Sequence, residues 1–260
     1  MPGRRVRARA YAKVNLTLEV VGRRPDGYHE VATVLQTVGL WDDVEAEEAP
    51  SLTLECEQAE LAMEGNLVVK AARLLQEAAG VRKGARLRLK KRVPVAAGLG
   101  GGSSDAAAAL RALTCLWGVD PGLEALASLA ARVGSDVPFF LTGGTGLATG
   151  RGEQVTPLPP LASAGLLLVV PRDRLLEKTA TLYRLLRPDH FTKGERGQAL
   201  AEALKKGGVV SPSLFFNAFE GVAEGVFPSL SACRRALQEA GVGRGHLTGT
   251  GPGLFALVEG

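Results

Sequence analysis

Cysteine and histidine are scarce in this 260-residue chain, three of each, and their positions exclude more than their number does. Cys56, Cys115 and Cys233 lie far apart, odd in number and without a Cys-x-x-Cys pair, which argues against a disulfide framework or a structural zinc site and for buried thiols. His29, His190 and His246 show no metal-ligand spacing, so any metal is expected to arrive with a ligand. Long apolar runs are missing too. The 46% hydrophobic content is broken throughout by Gly, Pro and charged residues, and no run approaches the roughly 20 residues that cross a bilayer. The basic start, through Arg9, has no apolar stretch behind it, so it does not read as a secretory signal; a cytoplasmic protein with no membrane partner is expected. Nor does one sign of charge dominate. Lys and Arg number 31 against 27 carboxylates, spread along the chain, and the longest basic cluster is only Lys90-Lys91-Arg92. That disfavours nucleic acid as partner and favours a small anionic ligand. Oligomeric state has no signature in the sequence.

The residues present read as an α+β chain without internal repeats. Val6 to Val21 suggests a pair of strands ending in the turn-rich Gly22-Arg23-Arg24-Pro25-Asp26-Gly27; Val31 to Leu40 and Leu52 to Cys56 suggest two more. Asn66 can cap a helix whose apolar face is Leu67, Ala71, Leu74, Leu75 and Ala78, closed by Gly80. Ala85 to Lys90 alternates apolar and basic, the pattern of a half-buried strand. A helix from about Ser103 to Trp117 follows, then a helix opened by Asp120-Pro121. The Gly143-Gly146 and Pro157-Pro160 stretches bracket a change of character, and the division into residues 1–154 and 155–260 is drawn there. Beyond it, a strand is expected at Leu166 to Val170, helices near Leu176 to Leu186, Gln198 to Lys205 and from Ser229, and a closing strand at Leu254 to Val258.

Between strand and helix stands Gly98-Leu99-Gly100-Gly101-Gly102-Ser103-Ser104. A helix N-terminus leaves its first N–H groups without partners and carries roughly half a positive charge; a phosphate satisfies both. Consecutive glycines let the backbone curl around an anion with no Cβ in the way. Ser103 and Ser104 add hydroxyls for a phosphate oxygen or a magnesium-bound water. The segment is neither a P-loop, since no Lys follows the last glycine, nor the dinucleotide fingerprint, since Ser103 takes the third glycine position. Considered alone, it is either a phosphate cradle or a flexible turn with a serine cap.

The longer stretch Pro94-Val95-Ala96-Ala97-Gly98-Leu99-Gly100-Gly101-Gly102-Ser103-Ser104-Asp105 resembles the ATP loop of the GHMP kinases. Ala12-Lys13-Val14-Asn15-Leu16-Thr17-Leu18 and Arg23-Arg24-Pro25-Asp26-Gly27-Tyr28-His29-Glu30 resemble the branch that acts on an alcohol carrying a cytidine diphosphate group. Gly134-Ser135-Asp136-Val137-Pro138-Phe139-Phe140 and Thr248-Gly249-Thr250-Gly251-Pro252-Gly253 fit the same branch, so the likeness spans essentially the full length. The resemblance implies a ribosomal-S5-like N-terminal domain and a ferredoxin-like C-terminal domain. It implies ATP as co-substrate, with Mg2+ bound through phosphates and waters, and transfer to the 2-hydroxyl of 4-diphosphocytidyl-2-C-methyl-D-erythritol in the non-mevalonate isoprenoid route. The alternative is a GHMP kinase for another alcohol, such as mevalonate or homoserine.

By position in that likeness, Lys13 and Asp136 are the catalytic pair. Asp136 would accept the hydroxyl's proton or orient it, and Lys13 would stabilise the developing phosphoryl charge. Asn15, Tyr28, His29 and Tyr183 would bind substrate, two aromatics sandwiching the cytosine, and Asn66 and Lys91 would lie on the adenosine side. Without the resemblance these positions read blandly: Asp136 as a turn residue before Pro138, Lys13 as a strand lysine, Asn66 as a helix cap, Tyr183 as helix filler. Lys178-Thr179-Ala180-Thr181 and Asn217-Ala218-Phe219-Glu220 depart from the family's pattern, the latter lacking the Asp expected after Asn.

Overall fold

The computed structural model describes residues 4–58, 61, 65–161, 165–207 and 210–258. They form an α+β structure in two compact units, the first holding the chain up to Ala12, Gly39–Val95 and Gly101–Gly143, the second Lys13–Val38, Ala96–Gly100 and the chain from Gly144 onward. A single cut near residue 154 therefore does not separate the units. The physical reason is that β1 (Arg5–Arg23) and β2 (His29–Ala49) are long strands that each contribute residues to both.

In the first unit, β3 (Thr53–Cys56) runs parallel to β4 (Gly84–Lys90), which pairs antiparallel with β2 from Asp43 opposite Lys90 to Ala49 opposite Gly84. The alternation in β4 works as its pattern suggests: Ala85, Leu87 and Leu89 are buried, and Arg88 turns outward to Glu45, Glu47 and Glu55. Four helices complete the unit: α1 (Leu67–Ala79), α2 (Gly101–Trp117), α3 (Gly122–Val133) and α4 (Val137–Thr142). Asn66 caps α1 by accepting from the Val68 N–H at 2.9 Å, and Gly80 ends it at φ 62. The buried face of α1 is Val68, Val69, Ala71, Ala72 and Leu75, so Ala78, expected inside, lies on the solvent side. Helix α2 is the centre: Ser104 to Leu110 are all buried, and the run Ala106 to Ala109 presents only methyl groups, which lets α1 and α4 approach closely.

In the second unit, β1 is buried without interruption from Lys13 to Val20. One face is apolar (Val14, Leu16, Leu18, Val20) and the other polar (Lys13, Asn15, Thr17, Glu19), yet both are covered. This explains why the expected pair of strands is a single strand of 19 residues. β2 pairs antiparallel with β5 (Thr145–Thr149), which turns back as β6 (Gln154–Leu158). The short β8 (Phe216–Asn217) lies parallel to β1 at Thr17 and Leu18. A separate three-stranded sheet has β10 (Leu254–Val258) between β7 (Gly165–Val169) and β9 (His246–Leu247). Helices α5 (Lys178–Leu185), α7 (Glu220–Ala223) and α8 (Ser229–Glu239) contribute to a core that includes Leu182, Phe219, Phe227, Leu230, Leu247 and Leu254, and α6 (Glu195–Lys205) lies outside that cluster.

Among the described residues no helix is long and apolar enough to cross a membrane. All three cysteines are unpaired, but Cys115 is exposed and Cys56 and Cys233 are half-buried, not the buried thiols expected: Cys115 falls on the outer side of α2.

Candidate active site

The glycine loop is fixed by its carbonyls. Ala97 O accepts from Gly253 N–H (3.1 Å) and Leu99 O from Lys13 N–H (3.0 Å). Gly98 O accepts from Lys13 Nζ (2.8 Å) and Thr248 Oγ1 (3.1 Å), and Ala96 O from Lys178 Nζ (2.8 Å). Four consecutive carbonyls are held, whereas none of the N–H groups from Ala96 to Gly102 donates to a partner among the described residues. Three positions in this stretch have positive φ: Ala96 (58°), Gly98 (82°) and Gly100 (70°). At Gly98 no other residue fits, because a Cβ would lie 2.1 Å from Thr248 O. The helix opens at Gly101, two residues earlier than its sequence suggests, so Gly101 and Gly102 themselves supply first-turn N–H groups.

The two serines differ. Ser104 is buried and its hydroxyl donates to Tyr11 O at 2.6 Å, which anchors α2. Ser103 is half-buried, and its hydroxyl has no partner among the described residues. Pro94 and Val95 lead into the loop, Val95 exposed.

Lys91, expected on the adenosine side, is engaged in an ion triad. Its ammonium is buried between Asp42 (2.5 Å) and Asp105 (2.6 Å), beneath the start of α2, where a Cβ on Gly101 would come 3.2 Å from Nζ. Burial pulls the Lys91 pKa down, but Asp105 and Asp42 outweigh it and the net shift is upward. Asp105 is pushed up to about 7, by burial and by the charge of Asp42 against the pull of Lys91. Two carboxylates share one cation. Asp42 also accepts from the N–H groups of Arg92 and Val93, whereas Asp105 Oδ1 is buried with no described partner. Asn66 is likewise engaged in structure: besides capping α1 it donates from Nδ2 to Leu61 O at 2.7 Å.

Lys13 is 3% exposed, and its Nζ donates to Asn15 Oδ1 (2.5 Å) as well as to Gly98 O. Asn15 Oδ1 also accepts from Gly249 N–H (2.8 Å), while Nδ2 donates to Thr33 Oγ1 (2.8 Å). Asn15, 4% exposed, thus holds Lys13 against the loop and the Thr248–Gly249 turn. Asp136 belongs to the first unit, where it is half-buried in the turn between α3 and α4, as the N-cap residue of α4 before Val137 and Pro138, the turn position its sequence suggests.

The aromatic residues are brought together, but as a stack of their own. His29 and Tyr183 lie with ring centroids 4.7 Å apart, and Phe219 meets Tyr183 edge-on at 4.8 Å. A base slotted between two rings needs about 7 Å, twice the contact distance, so none fits between His29 and Tyr183 as they stand. Tyr28 is 54% exposed, with the Arg151 guanidinium over its ring at 4.9 Å. His29 Nε2 is buried without a described partner, and burial together with Arg23 lowers the pKa of the imidazole, keeping it neutral at neutral pH.

One buried lysine beside the glycine loop escaped sequence reasoning. Lys178 Nζ reaches both Ala96 O in the glycine loop and Gly251 O, and burial and then the charge of Lys13 lower its pKa to about 8. The only sequence signal was the departure from the family's pattern at that position. Among the described residues no group of three His, Cys, Asp or Glu side chains could hold a metal ion.

Residues 66–144 match the model of the GHMP kinases N terminal domain, a segment that contains the loop, α2 and Asp136. A protein of Dehalococcoides mccartyi (strain ATCC BAA-2100) named 4-diphosphocytidyl-2-C-methyl-D-erythritol kinase is 45% identical over 251 residues, 96% of this chain and 88% of the relative. A crystal structure of 4-(cytidine 5'-diphospho)-2C-methyl-D-erythritol kinase superposes with a TM-score of 0.80 at 38% identity, covering 98% of this chain and 90% of that one. Homoserine kinase from Cytophaga hutchinsonii gives a TM-score of 0.67 at 18% identity, with 98% and 85% covered, a likeness of fold alone. At 45% identity over nearly its whole length, the chain belongs to the 4-diphosphocytidyl-2-C-methyl-D-erythritol kinases, a family of the GHMP kinases.

Proposed function

We propose that this chain transfers the terminal phosphoryl group of ATP to the 2-hydroxyl of 4-diphosphocytidyl-2-C-methyl-D-erythritol, releasing ADP, in the non-mevalonate route to isoprenoid precursors. The observation that carries this reading is the loop from Ala96 to Gly102, its carbonyls held inward and its N–H groups without described partners, with the buried ammonium of Lys13 against it. Phosphoryl transfer asks a protein chiefly for positioning and charge neutralisation. Backbone N–H groups bind phosphate oxygens, and Lys13, fixed by Asn15 and Gly98, meets charge that builds on the transferring group without reorganising. Asp136 orients the acceptor hydroxyl and takes its proton. The Ser103 hydroxyl, which has no described partner, would hold a water of a magnesium ion brought in with ATP, and that ion would supply neutralisation of phosphate charge.

Cytosine is read by the segment around Tyr28 and His29. The base stacks on exposed Tyr28, the neutral His29 imidazole offers its orphaned Nε2 to the base edge, and Tyr183 backs His29. A kinase for mevalonate or homoserine has no use for this reader. A coupled assay of ADP release across cytidylated and uncytidylated alcohols separates the two: turnover is expected with the cytidine substrate, and turnover of mevalonate or homoserine without it would overturn the assignment.

A further inference from the structure

Lys178 opens α5, directly after Glu177, whose φ of 48° turns the chain into the helix. A cation at a helix N-terminus is unfavourable, and this one is also buried and close to a second ammonium, that of Lys13. Two carbonyls offset part of that cost, Ala96 O and Gly251 O, and no carboxylate among the described residues joins them. Both lysines bridge the same two backbone segments. Lys13 Nζ holds Gly98 O and lies where a Cβ on Gly249 would be 3.4 Å away; Lys178 Nζ holds Ala96 O and Gly251 O. An ammonium has three N–H groups, and Lys178 uses two. Lys178 therefore stands beside a loop whose N–H groups have no described partners, with one N–H of its own to spare.

We propose that Lys178 is a second phosphate-binding cation of the loop, donating its third N–H to an oxygen of the nucleotide's terminal phosphoryl group beside Lys13. The inference rests on the kinase reading above and assigns it a residue outside the family's pattern. With an anion between them, the two ammoniums cease to repel at short range, and Lys178 stays charged at higher pH than it does alone.

The test compares wild type, Lys178→Gln and Lys178→Arg by calorimetric titration with a non-hydrolysable ATP analogue and with ADP, alongside steady-state kinetics. Loss of one charge-assisted hydrogen bond to the terminal phosphate weakens the analogue roughly tenfold to a hundredfold in the Gln variant, leaves ADP within about twofold, and is partly recovered by Arg. Unchanged ADP affinity also reports an intact loop. Analogue and ADP weakened equally would make Lys178 a structural tie between Ala96 and Gly251 and overturn the proposal, as would unchanged affinity for both. Wild type that binds neither nucleotide would instead sink the kinase reading itself.

Discussion

Two glycines four residues apart separate what the glycine loop needs to fold from what it needs to bind. At Gly98 an added Cβ would sit 2.1 Å from Thr248 O and 3.0 Å from its carbonyl carbon, with φ at +82°. Thr248 cannot withdraw: it is fully buried, its N–H donates to Gly253 O (3.0 Å), and its hydroxyl accepts from Asn15 N–H (3.1 Å). Gly98→Ala therefore combines a left-handed backbone penalty of about 1–2 kcal/mol with an overpacking penalty of about 1–3 kcal/mol. The sum, about 2–5 kcal/mol, corresponds to a fall in Tm on the order of 5–20 °C for a chain of this size. At Gly102 the nearest atom to an added Cβ is Leu67 Cδ1 at 3.8 Å, and the residue is exposed in a helical first turn. Nothing in the protein requires glycine there, and Ala should stabilise the helix by about 0.5–1 kcal/mol. If phosphates lie over that turn, however, the methyl group intrudes on them and KM for ATP rises by an order of magnitude while stability improves. Thermal unfolding without nucleotide and initial rates against ATP measure both. A Gly98→Ala protein as stable as wild type would refute the packing argument, and a Gly102→Ala protein with unaltered KM for ATP would remove the phosphates from the start of α2.

Two further substitutions test parts of the site separately. Asp105 has its folded-state pKa raised from 3.8 to about 7, so the folded protein holds a proton that the unfolded chain releases; the contribution to stability is complete below about pH 4 and is lost as pH rises through about 7. Asp105→Asn should flatten the decline of the unfolding midpoint between those limits, and parallel profiles for wild type and variant would count against a protonated Asp105. Asp136→Asn should lower kcat by orders of magnitude and leave affinity for ATP nearly unchanged, read by steady-state rates and calorimetry; full activity would take Asp136 out of the chemistry.

Features set by neighbours in the chain were legible in the sequence. Asn66 and Gly80 mark the ends of α1 because cap geometry is local, and Leu254 to Val258 is the closing strand at the bounds its pattern suggests. Alternation in β1 was harder to read: the polar positions Lys13, Asn15, Thr17 and Glu19 are as buried as the apolar ones, and that depends on partners hundreds of residues away. The same distance effect hides the surroundings of Lys91. A lysine after a strand and before a glycine loop fits a nucleotide contact, and only the approach of Asp42 and Asp105 reveals an ion triad beneath the helix. Lys178 could be noticed from sequence but not explained, since its partners, Ala96 and Gly251, are backbone carbonyls that carry no side-chain signature. The compact units escape linear reading for a related reason: β1 and β2 belong to both.

The polar face of β1 ties these observations together. Burying four polar side chains in a row is costly unless each finds partners, and here each does. Glu19 accepts from the N–H groups of Arg196 and Gly197 (3.3 and 2.7 Å), an anion at the N-terminus of α6. Thr17 accepts from Val34 N–H at 3.0 Å, Asn15 joins Thr33 to Gly249, and Lys13 ends the row on Gly98 O. The strand that supplies the core of the second unit thus also sets the direction of the glycine loop. Lys13 and Lys178 hold the carbonyls of Gly98 and Ala96, so on the reading proposed above the two cations that would charge the cradle also fix its backbone. A variant at Lys178 can act through shape or through field, and the arginine variant with the contrast between ATP analogue and ADP, not loss of activity alone, decides between them.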